Sequence, residues 1–134
     1  MLRKGKNIEF DNIDTDVLIE ISDKRSEKGD QIYQKIISSD DNVAITSITM
    51  YEALYGLMKY TKPFHHLFSF HVYEFSNEDA QQAARLEISL EKKGKKIKRT
   101  DIMIASTVIN KGATLYTFDN DFQAFEDFGL KIIK

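Results

Sequence analysis

The sequence contains no cysteine, which excludes disulfide bonds, zinc sites with thiolate ligands and cysteine nucleophiles. One proline and six glycines leave little room for long disordered linkers. No apolar run approaches the length of a membrane span, and the segment MLRKGKNIEF lacks the apolar region of a signal peptide. Together these absences predict a cytoplasmic protein.

The composition is that of an ordinary globular domain. Hydrophobic residues make up 42% of the 134 residues and charged residues 30%, so we expect a single domain over residues 1–134. The net charge of -2 provides no overall attraction to nucleic acid. A surface that binds nucleic acid would therefore depend on local segregation of charge.

The apolar pattern alternates between strands and helices. Strands are predicted at 7–13, 42–45, 72–75, 114–117 and 131–133, and helices at about 16–23, 26–38, 46–60, 77–93 and 100–111. Asn77 is the predicted N-cap of the longest helix, whose predicted apolar side consists of Ala80, Ala83, Ala84, Leu86, Ile88 and Leu90. This alternation predicts an α/β fold, a three-layer sandwich with a central, mainly parallel β-sheet flanked by helices.

Acidic residues fall where strands end and helices begin. Functional groups gather beyond the carboxyl ends of parallel strands, so we expect four acids to converge there: Asp14, Glu52, Asp101 and Asp119. Carboxylates without cysteine or suitably spaced histidine favour Mg²⁺ or Mn²⁺, which can polarise a phosphodiester and activate water for hydrolysis. Each acid could instead be a surface residue or a helix cap, and for Asp121 capping and metal binding remain equally open.

A basic run, KKGKKIKR at 92–99, precedes Asp101 directly and places six cations within eight residues. A lysine-rich loop is often only solvated, but this position beside the predicted cleft also favours contact with RNA phosphates. The candidate RNA-binding residues are Lys93, Lys95, Lys96, Lys98 and Arg99.

Four segments resemble the PIN-domain family, and within it the VapC-like toxin ribonucleases: IDTDVLI at 13–19, AITSITMYEALYG at 44–56, RTDIMIASTVINKGATLYTFDNDF at 99–122 and GLKI at 129–132. The resemblance assigns the family's four metal-binding acids to Asp14, Glu52, Asp101 and Asp119, and a frequent fifth acid to Asp121. It implies a Mg²⁺- or Mn²⁺-dependent endoribonuclease that forms a homodimer and is silenced by a cognate antitoxin protein.

Further residues near the acids are candidates for orienting the metal ligands: Thr15, Asp16, Thr49 and Thr117. For the threonines, capping and strand propensity explain the pattern equally well. Asp16 stands where the family more often has asparagine, which adds negative charge beside Asp14. The first strand also departs from the family pattern, because Glu9, Asp11 and Asn12 interrupt its apolar run.

Two other functions remain open from the sequence. The first is a non-catalytic RNA-binding or RNA-processing PIN domain that keeps its acids as a structural metal site. The second is a phosphoacceptor receiver domain, which needs an aspartate at the end of its third strand. The third predicted strand ends in Phe75-Ser76, so the sequence disfavours the receiver.

Overall fold

A five-stranded parallel β-sheet forms the centre of the fold. The computed structural model describes residues 10–24, 26–38 and 42–134. The strands are β1 (Phe10–Ile13), β2 (Asn42–Thr46), β3 (His71–Tyr73), β4 (Thr114–Tyr116) and β5 (Lys131–Ile133). Their order is β3-β2-β1-β4-β5, and each neighbouring pair is parallel. The predicted α/β class is confirmed, while residues 7–9 of the predicted first strand lie outside the described residues.

Strand β1 occupies the middle of the sheet although half of it is polar. Its register places Asp11 beside Val43 of β2 and beside Thr114 of β4. The side chains of Asp11 and Asn12 are both buried, and the Tyr116 hydroxyl donates to Asp11 Oδ2 at 3.5 Å. The polar residues that interrupt the apolar run therefore do not expose this strand.

Helices connect the strands and cover both faces of the sheet. They are α1 (Thr15–Ile19), which continues as a π-helical turn over Glu20–Lys24, α2 (Glu27–Ser38), α3 (Ser47–Lys59), α4 (Asn77–Lys92) and α5 (Arg99–Lys111). Two 3-10 helices complete the chain at His65–Ser69 and Asn120–Phe128. Among the described residues, no helix combines the length and hydrophobicity required to traverse a lipid bilayer.

The core consists of two apolar clusters on opposite faces of the sheet. One joins α4, α5 and the 3-10 helix Asn120–Phe128, and includes Leu115; the other joins α1, α2 and α3, and includes Tyr116. Leu115 and Tyr116 are successive residues of β4, and successive strand side chains point to opposite faces. Side chains from every layer thus contribute to the core.

The direction in which strands are added reverses next to β1. From β1 the chain adds β2 and then β3 on one side, before α4 and α5 return it to β4 on the other side. Such a reversal leaves a crevice beyond the carboxyl ends of the two strands at the switch point. In this fold those strands are β1 and β4, so the crevice lies between residue 14 and residues 117–121.

Helix α4 differs from its predicted form at both its start and its buried face. Ser76, not Asn77, is the N-cap, because its hydroxyl accepts from the Asp79 backbone N–H while the Asp79 carboxylate accepts from the Ser76 N–H. Leu86 and Leu90 are buried as predicted, whereas Ala80, Ala84 and Ile88, which were predicted to lie on the same side, are exposed. The buried face also carries Asp79, and an apolar count could not place a carboxylate there.

Asp79 links α4 to α5. Its side chain is 2% exposed and accepts hydrogen bonds from Thr107 Oγ1 at 3.1 Å and from Asn110 Nδ2 at 2.8 Å. With the Ser76 N–H at 3.0 Å, three donors satisfy this carboxylate. Removing a buried carboxylate whose hydrogen bonds are complete destabilises the fold, because its donors are left without a partner.

Replacing Asp79 should therefore weaken the packing of α4 against α5. In Asp79→Ala the Ser76 N–H and the Asn110 side-chain amide lose their acceptor, while Thr107 Oγ1 keeps Met103 O at 3.1 Å. We expect a loss of about 3 kcal/mol of stability, or on the order of 10 °C in melting temperature for a domain of this size. Thermal denaturation followed by circular dichroism measures the shift. Asp127→Ala, at an exposed position, is the control and should change the melting temperature little; equal shifts in both variants would contradict the role assigned to Asp79.

Candidate metal centre

A cleft of about 290 Å³ contains all four acids that were predicted to converge. It is lined by Asp14, Thr15, Asp16, Ile19, Glu52, Lys98, Asp101 and Asp119. These residues come from the end of β1, the start of α1, the middle of α3, the start of α5 and the segment after β4. The structure thus brings the four acids together at the switch point, as the spacing of strands and acids suggested.

Asp14 directly follows β1 and is held on β4. Its backbone N–H donates to Tyr116 O at 2.9 Å, and its Oδ2 accepts from Thr117 Oγ1 at 2.9 Å. The side chain is buried and makes no capping hydrogen bond to α1, although Asp14 occupies the N-cap position. Burial raises the pKa of the Asp14 carboxyl to about 8, and the negative charge of Asp16 adds to the shift. Capping therefore does not account for this acid.

Asp16 was predicted to orient ligands, and it also faces the cleft itself. Its Oδ2 accepts from the Phe118 N–H at 3.3 Å. Burial raises the pKa of this carboxyl, and the charge of Asp119 acts in the same direction. Within the described part of the chain, its buried Oδ1 has no hydrogen-bond partner. The aspartate at this position therefore adds an oxygen that is available to a cation.

Glu52 reaches the cleft from α3, where a threonine holds it. Thr15 Oγ1 donates to Glu52 Oε1 at 2.6 Å, and Thr49 Oγ1 lies 3.4 Å from Thr15 Oγ1. Glu52 is half-buried and Thr49 is fully buried, whereas Tyr55 of the same helix is exposed. The threonine contacts fix one carboxylate oxygen of Glu52, as expected of residues that orient a ligand.

Three acids form a compact group, in which Asp101 and Asp119 line the cleft and Asp121 lines a neighbouring groove. One carboxylate oxygen from each of Asp101, Asp119 and Asp121 can be chosen so that all three lie within 4.8 Å of one another. Asp101 is the third residue of α5 and is 5% exposed, while Asp119 caps the following 3-10 helix by accepting from the Asp121 N–H at 2.9 Å. Asp121, which the sequence left between two roles, thus belongs to the group and does not act as the cap.

The charges of the group act on Asp101. Burial is the largest influence and raises the pKa of this carboxyl to about 6; Lys98 opposes the shift, whereas Asp119, Glu52 and Asp121 add to it. Thr117 Oγ1 connects the two halves of the site, since it donates to Asp14 and accepts from the Asp119 N–H at 3.0 Å. The acids therefore interact across the whole cleft.

The donor set fits a hard divalent cation. All the groups are carboxylate oxygens, and within the described residues the buried Oδ2 of Asp101 has no hydrogen-bond partner. Clustered carboxylates repel one another, and a cation among them removes the repulsion. Oxygen ligands without nitrogen or sulfur suit Mg²⁺ or Mn²⁺ better than zinc. Asp101, Asp119 and Asp121 are the most compact ligand set, with Asp14, Asp16 and Glu52 beside it.

The basic segment divides into two parts. Lys98 lines the acid cleft, and Lys95 and Lys96 border a groove that also contains Asp121. Arg99 points to Glu87 instead, with its Nε 3.1 Å from Oε2, and Lys93 Nζ lies 3.9 Å from Asp127 Oδ2 and 5.1 Å from the centre of the Phe128 ring. Of the five predicted RNA-binding residues, only Lys95, Lys96 and Lys98 thus approach the acids.

One feature of the site was missed in the sequence. A mainly apolar groove of about 230 Å³ joins the acid cleft, with Ile19 and Glu52 lining both. Its other lining residues are Leu18, Ser22, Ala53, Gly56, Leu57, Tyr60, Lys62 and Leu67. Apolar residues on α1 and α3 have the same helical spacing whether they face the core or an open groove, so no sequence signal separates the two cases.

Known proteins resemble this chain along nearly its whole length. The family model described as PIN domain matches residues 13–127. No curated protein matches the chain. Three similar solved structures are VapBC2 from Rickettsia felis bound to a promoter DNA fragment, VapBC-1 from nontypeable Haemophilus influenzae and FitAcB from Neisseria gonorrhoeae.

These structures share the fold at low sequence identity. The Rickettsia protein has a TM-score of 0.74 and 23% identity, with 92% of this chain and 97% of that chain covered. The Haemophilus protein has a TM-score of 0.76 and 19% identity, and the Neisseria protein 0.72 and 20%; each match covers 93% of this chain and 97% of the other. Nearly the whole chain therefore has a counterpart in each.

The raised pKa of Asp14 predicts how the stability of the metal-free protein depends on pH. The folded state keeps the Asp14 proton up to about pH 8, whereas the unfolded state loses it near the ordinary value of 3.8, so the folded state binds more protons between these values. Stability should therefore fall as pH rises through this window. In EDTA, the melting temperature should be lower at about pH 8 than at about pH 5.5.

Asp14→Asn keeps the shape of the side chain and removes its titration. We expect this variant to melt at a higher temperature than the natural protein in EDTA at about pH 8, with a weaker pH dependence. Asp127→Asn changes the same charge at an exposed position and should behave as the natural protein does. A lower melting temperature for Asp14→Asn under these conditions would show that the carboxylate does not destabilise the metal-free fold.

Proposed function

The chain belongs to the PIN-domain family, which its match over residues 13–127 shows, and we propose that it is a Mg²⁺- or Mn²⁺-dependent endoribonuclease. The substrate is single-stranded RNA, and the reaction is hydrolysis of a phosphodiester bond. The resemblance noted in the sequence agrees with the family match. The nuclease activity, the metal and the roles of individual residues are the content of the proposal.

The observation that carries the proposal is the convergence of acids in one cleft. Oxygens of Asp101, Asp119 and Asp121 lie within 4.8 Å of one another, and Asp14, Asp16 and Glu52 face the same space. A fold gains no stability from bringing buried carboxylates together, because repulsion and desolvation both oppose it. Such a cluster at a switch point is better explained by a ligand of positive charge.

A divalent cation in this cleft would neutralise charge on a phosphodiester and lower the pKa of water. Asp101, Asp119 and Asp121 would hold it directly, with Asp14 and Glu52 completing the ligand set directly or through water. Thr15 keeps Glu52 Oε1 in place, and Thr117 keeps Asp14 Oδ2 in place. Lys98 supplies a positive charge beside Asp101, where a substrate phosphate would enter.

The biological role that we propose is that of a VapC-like toxin in a toxin–antitoxin pair. Structures similar to this chain include one described as a toxin–antitoxin complex from Klebsiella pneumoniae and one as VapBC from Salmonella typhimurium bound to DNA. By this analogy of fold, the protein acts in the cytoplasm as a homodimer and is silenced by a cognate antitoxin protein.

The nuclease proposal predicts that Asp101→Asn abolishes activity. Purified protein should cleave single-stranded RNA in Mg²⁺ or Mn²⁺ but not in EDTA, and Asp101→Asn should reduce the cleavage rate by at least about 100-fold. The substitution removes a charged ligand and keeps the side-chain shape, so the fold should persist. Gel separation of end-labelled RNA measures the rate.

Asp127→Asn is the matched control, since this exposed acid lies at the far end of the 3-10 helix and should leave the rate unchanged. RNA binding without cleavage in either metal would overturn the nuclease. It would instead support the second candidate, a non-catalytic RNA-binding or RNA-processing PIN domain.

A second test concerns the positioning of Glu52. Thr15→Val removes the hydroxyl that donates to Glu52 Oε1 and keeps the branched shape, so it should lower kcat by about 10-fold and weaken Mn²⁺ binding by a similar factor. Mn²⁺ titration followed by calorimetry provides the readout that is independent of catalysis. The control is Thr114→Val, at the amino-terminal end of β4 and away from the cleft. Unchanged Mn²⁺ affinity in Thr15→Val would show that the hydrogen bond from Thr15 to Glu52 does not position a ligand.

A further inference from the structure

The basic segment separates two grooves with different charges. The first, of about 340 Å³, lies between Lys95, Lys96 and Ile97 on one side and the start of the 3-10 helix on the other, with Asn120, Asp121, Gln123 and Ala124. The second, of about 410 Å³, lies toward α4 and its charged lining residues are Glu87, Glu91, Lys95, Lys96, Lys98 and Arg99. Lys95 and Lys96 line both grooves.

The first groove is continuous with the candidate metal centre. Asp121 lines this groove, and one of its carboxylate oxygens belongs to the group formed with Asp101 and Asp119. Lys98 stands on the wall of the acid cleft, two residues from Lys96 in the chain. A path therefore leads from the acids, along the start of the 3-10 helix, to two further lysines.

The lysines along this path have charge available for a ligand. Lys95, Lys96 and Lys98 are exposed, and within the described residues the ammonium groups of Lys95 and Lys96 form no ion pair. The second groove contains two carboxylates, Glu87 and Glu91, and Glu87 already pairs with Arg99 there. The one acid of the first groove is Asp121, which belongs to the candidate metal group, so a bound cation would neutralise it and leave Lys95 and Lys96 to attract a polyanion.

We propose that Lys95 and Lys96 bind the backbone phosphates of single-stranded RNA that flank the phosphate at the acid cleft, and that the strand leaves along the start of the 3-10 helix Asn120–Phe128. This inference rests on the proposed function, since it takes the acid cleft as the place of the scissile phosphate. The amide groups of Asn120 and Gln123 supply neutral hydrogen-bond donors along the same groove. Arg99 and Lys93 have no part in this path.

The salt dependence of RNA binding tests this path. Each phosphate neutralised on a single strand contributes about 0.7 to the slope of log K against log salt. Lys95→Ala/Lys96→Ala should therefore reduce the slope by about 1.4 and weaken binding by on the order of 10-fold near physiological salt. Fluorescence anisotropy with a labelled single-stranded RNA measures the slope and the affinity in the presence of Mg²⁺. All variants carry Asp101→Asn, which prevents cleavage of the RNA.

The control is Lys111→Ala/Lys131→Ala, which removes the same two charges. Lys111 ends α5 and Lys131 begins β5, so both lie at the amino-terminal edge of the sheet, opposite the cleft. This variant should bind with the slope of the parent protein. Equal slopes for the two double variants, or no RNA binding by the parent, would overturn the proposed path.

A kinetic measurement separates this proposal from the nuclease itself. In the otherwise natural protein, Lys95→Ala/Lys96→Ala should raise KM and leave kcat nearly unchanged, because the two lysines bind the flanking strand equally in the ground and transition states. If the natural protein cleaves no RNA but the slope still falls in the lysine variant, the path stands and the nuclease is overturned. Unchanged KM together with an unchanged slope overturns the path alone.

Discussion

The burial of neighbouring carboxylates, which desolvation and mutual repulsion both oppose, is the constraint on which the functional end of this fold depends. Asp14, Asp16 and Asp101 all have raised pKa values, and for each the largest cause is the loss of water around the charge. The sheet imposes this arrangement, since the ends of β1 and β4 are adjacent and each is followed directly by an acidic segment. The rest of the structure must hold these groups against their mutual repulsion.

Hydroxyl groups provide much of that restraint. Thr117 touches the two halves of the cleft, because it donates to Asp14 and accepts from the Asp119 backbone. Thr15 holds Glu52 in the same manner from the other side. Farther away, the Asp79 network ties α4 to the C-terminal half of α5, the helix whose first turn carries Asp101. The acids are thus positioned by uncharged threonine side chains. Asp79, a carboxylate outside the site with its hydrogen bonds complete, supports the helix that carries Asp101.

The sequence predicted the fold class and the meeting of the acids because both follow from chain order. Parallel strands that alternate with helices place their carboxyl ends together, so Asp14 and Asp119 could be assigned to one edge without coordinates. The predicted apolar side of α4 was right for Leu86 and Leu90 and wrong for Ala80 and Ala84, which are small enough to remain exposed at little cost. Asp79 is buried because α5 supplies its donors. Pairings between distant residues, such as Arg99 with Glu87, and the groove beside Ile19 depend on tertiary packing that periodicity does not encode.

The position of β1 also affects the order in which the protein can assemble. Asp11 of the central strand β1 pairs with Thr114 of β4, so the β1–β4 pair joins residues about a hundred positions apart in the chain. Contacts of such long sequence separation close slowly, because the entropy of the intervening loop is lost before the strands stabilise each other. During synthesis on the ribosome, the N-terminal half emerges with Asp14, Asp16 and Glu52 but without Asp101, Asp119 and Asp121. The complete cluster can exist only after nearly all of the described chain has emerged. Any activity that depends on the cluster is therefore delayed until the fold is complete.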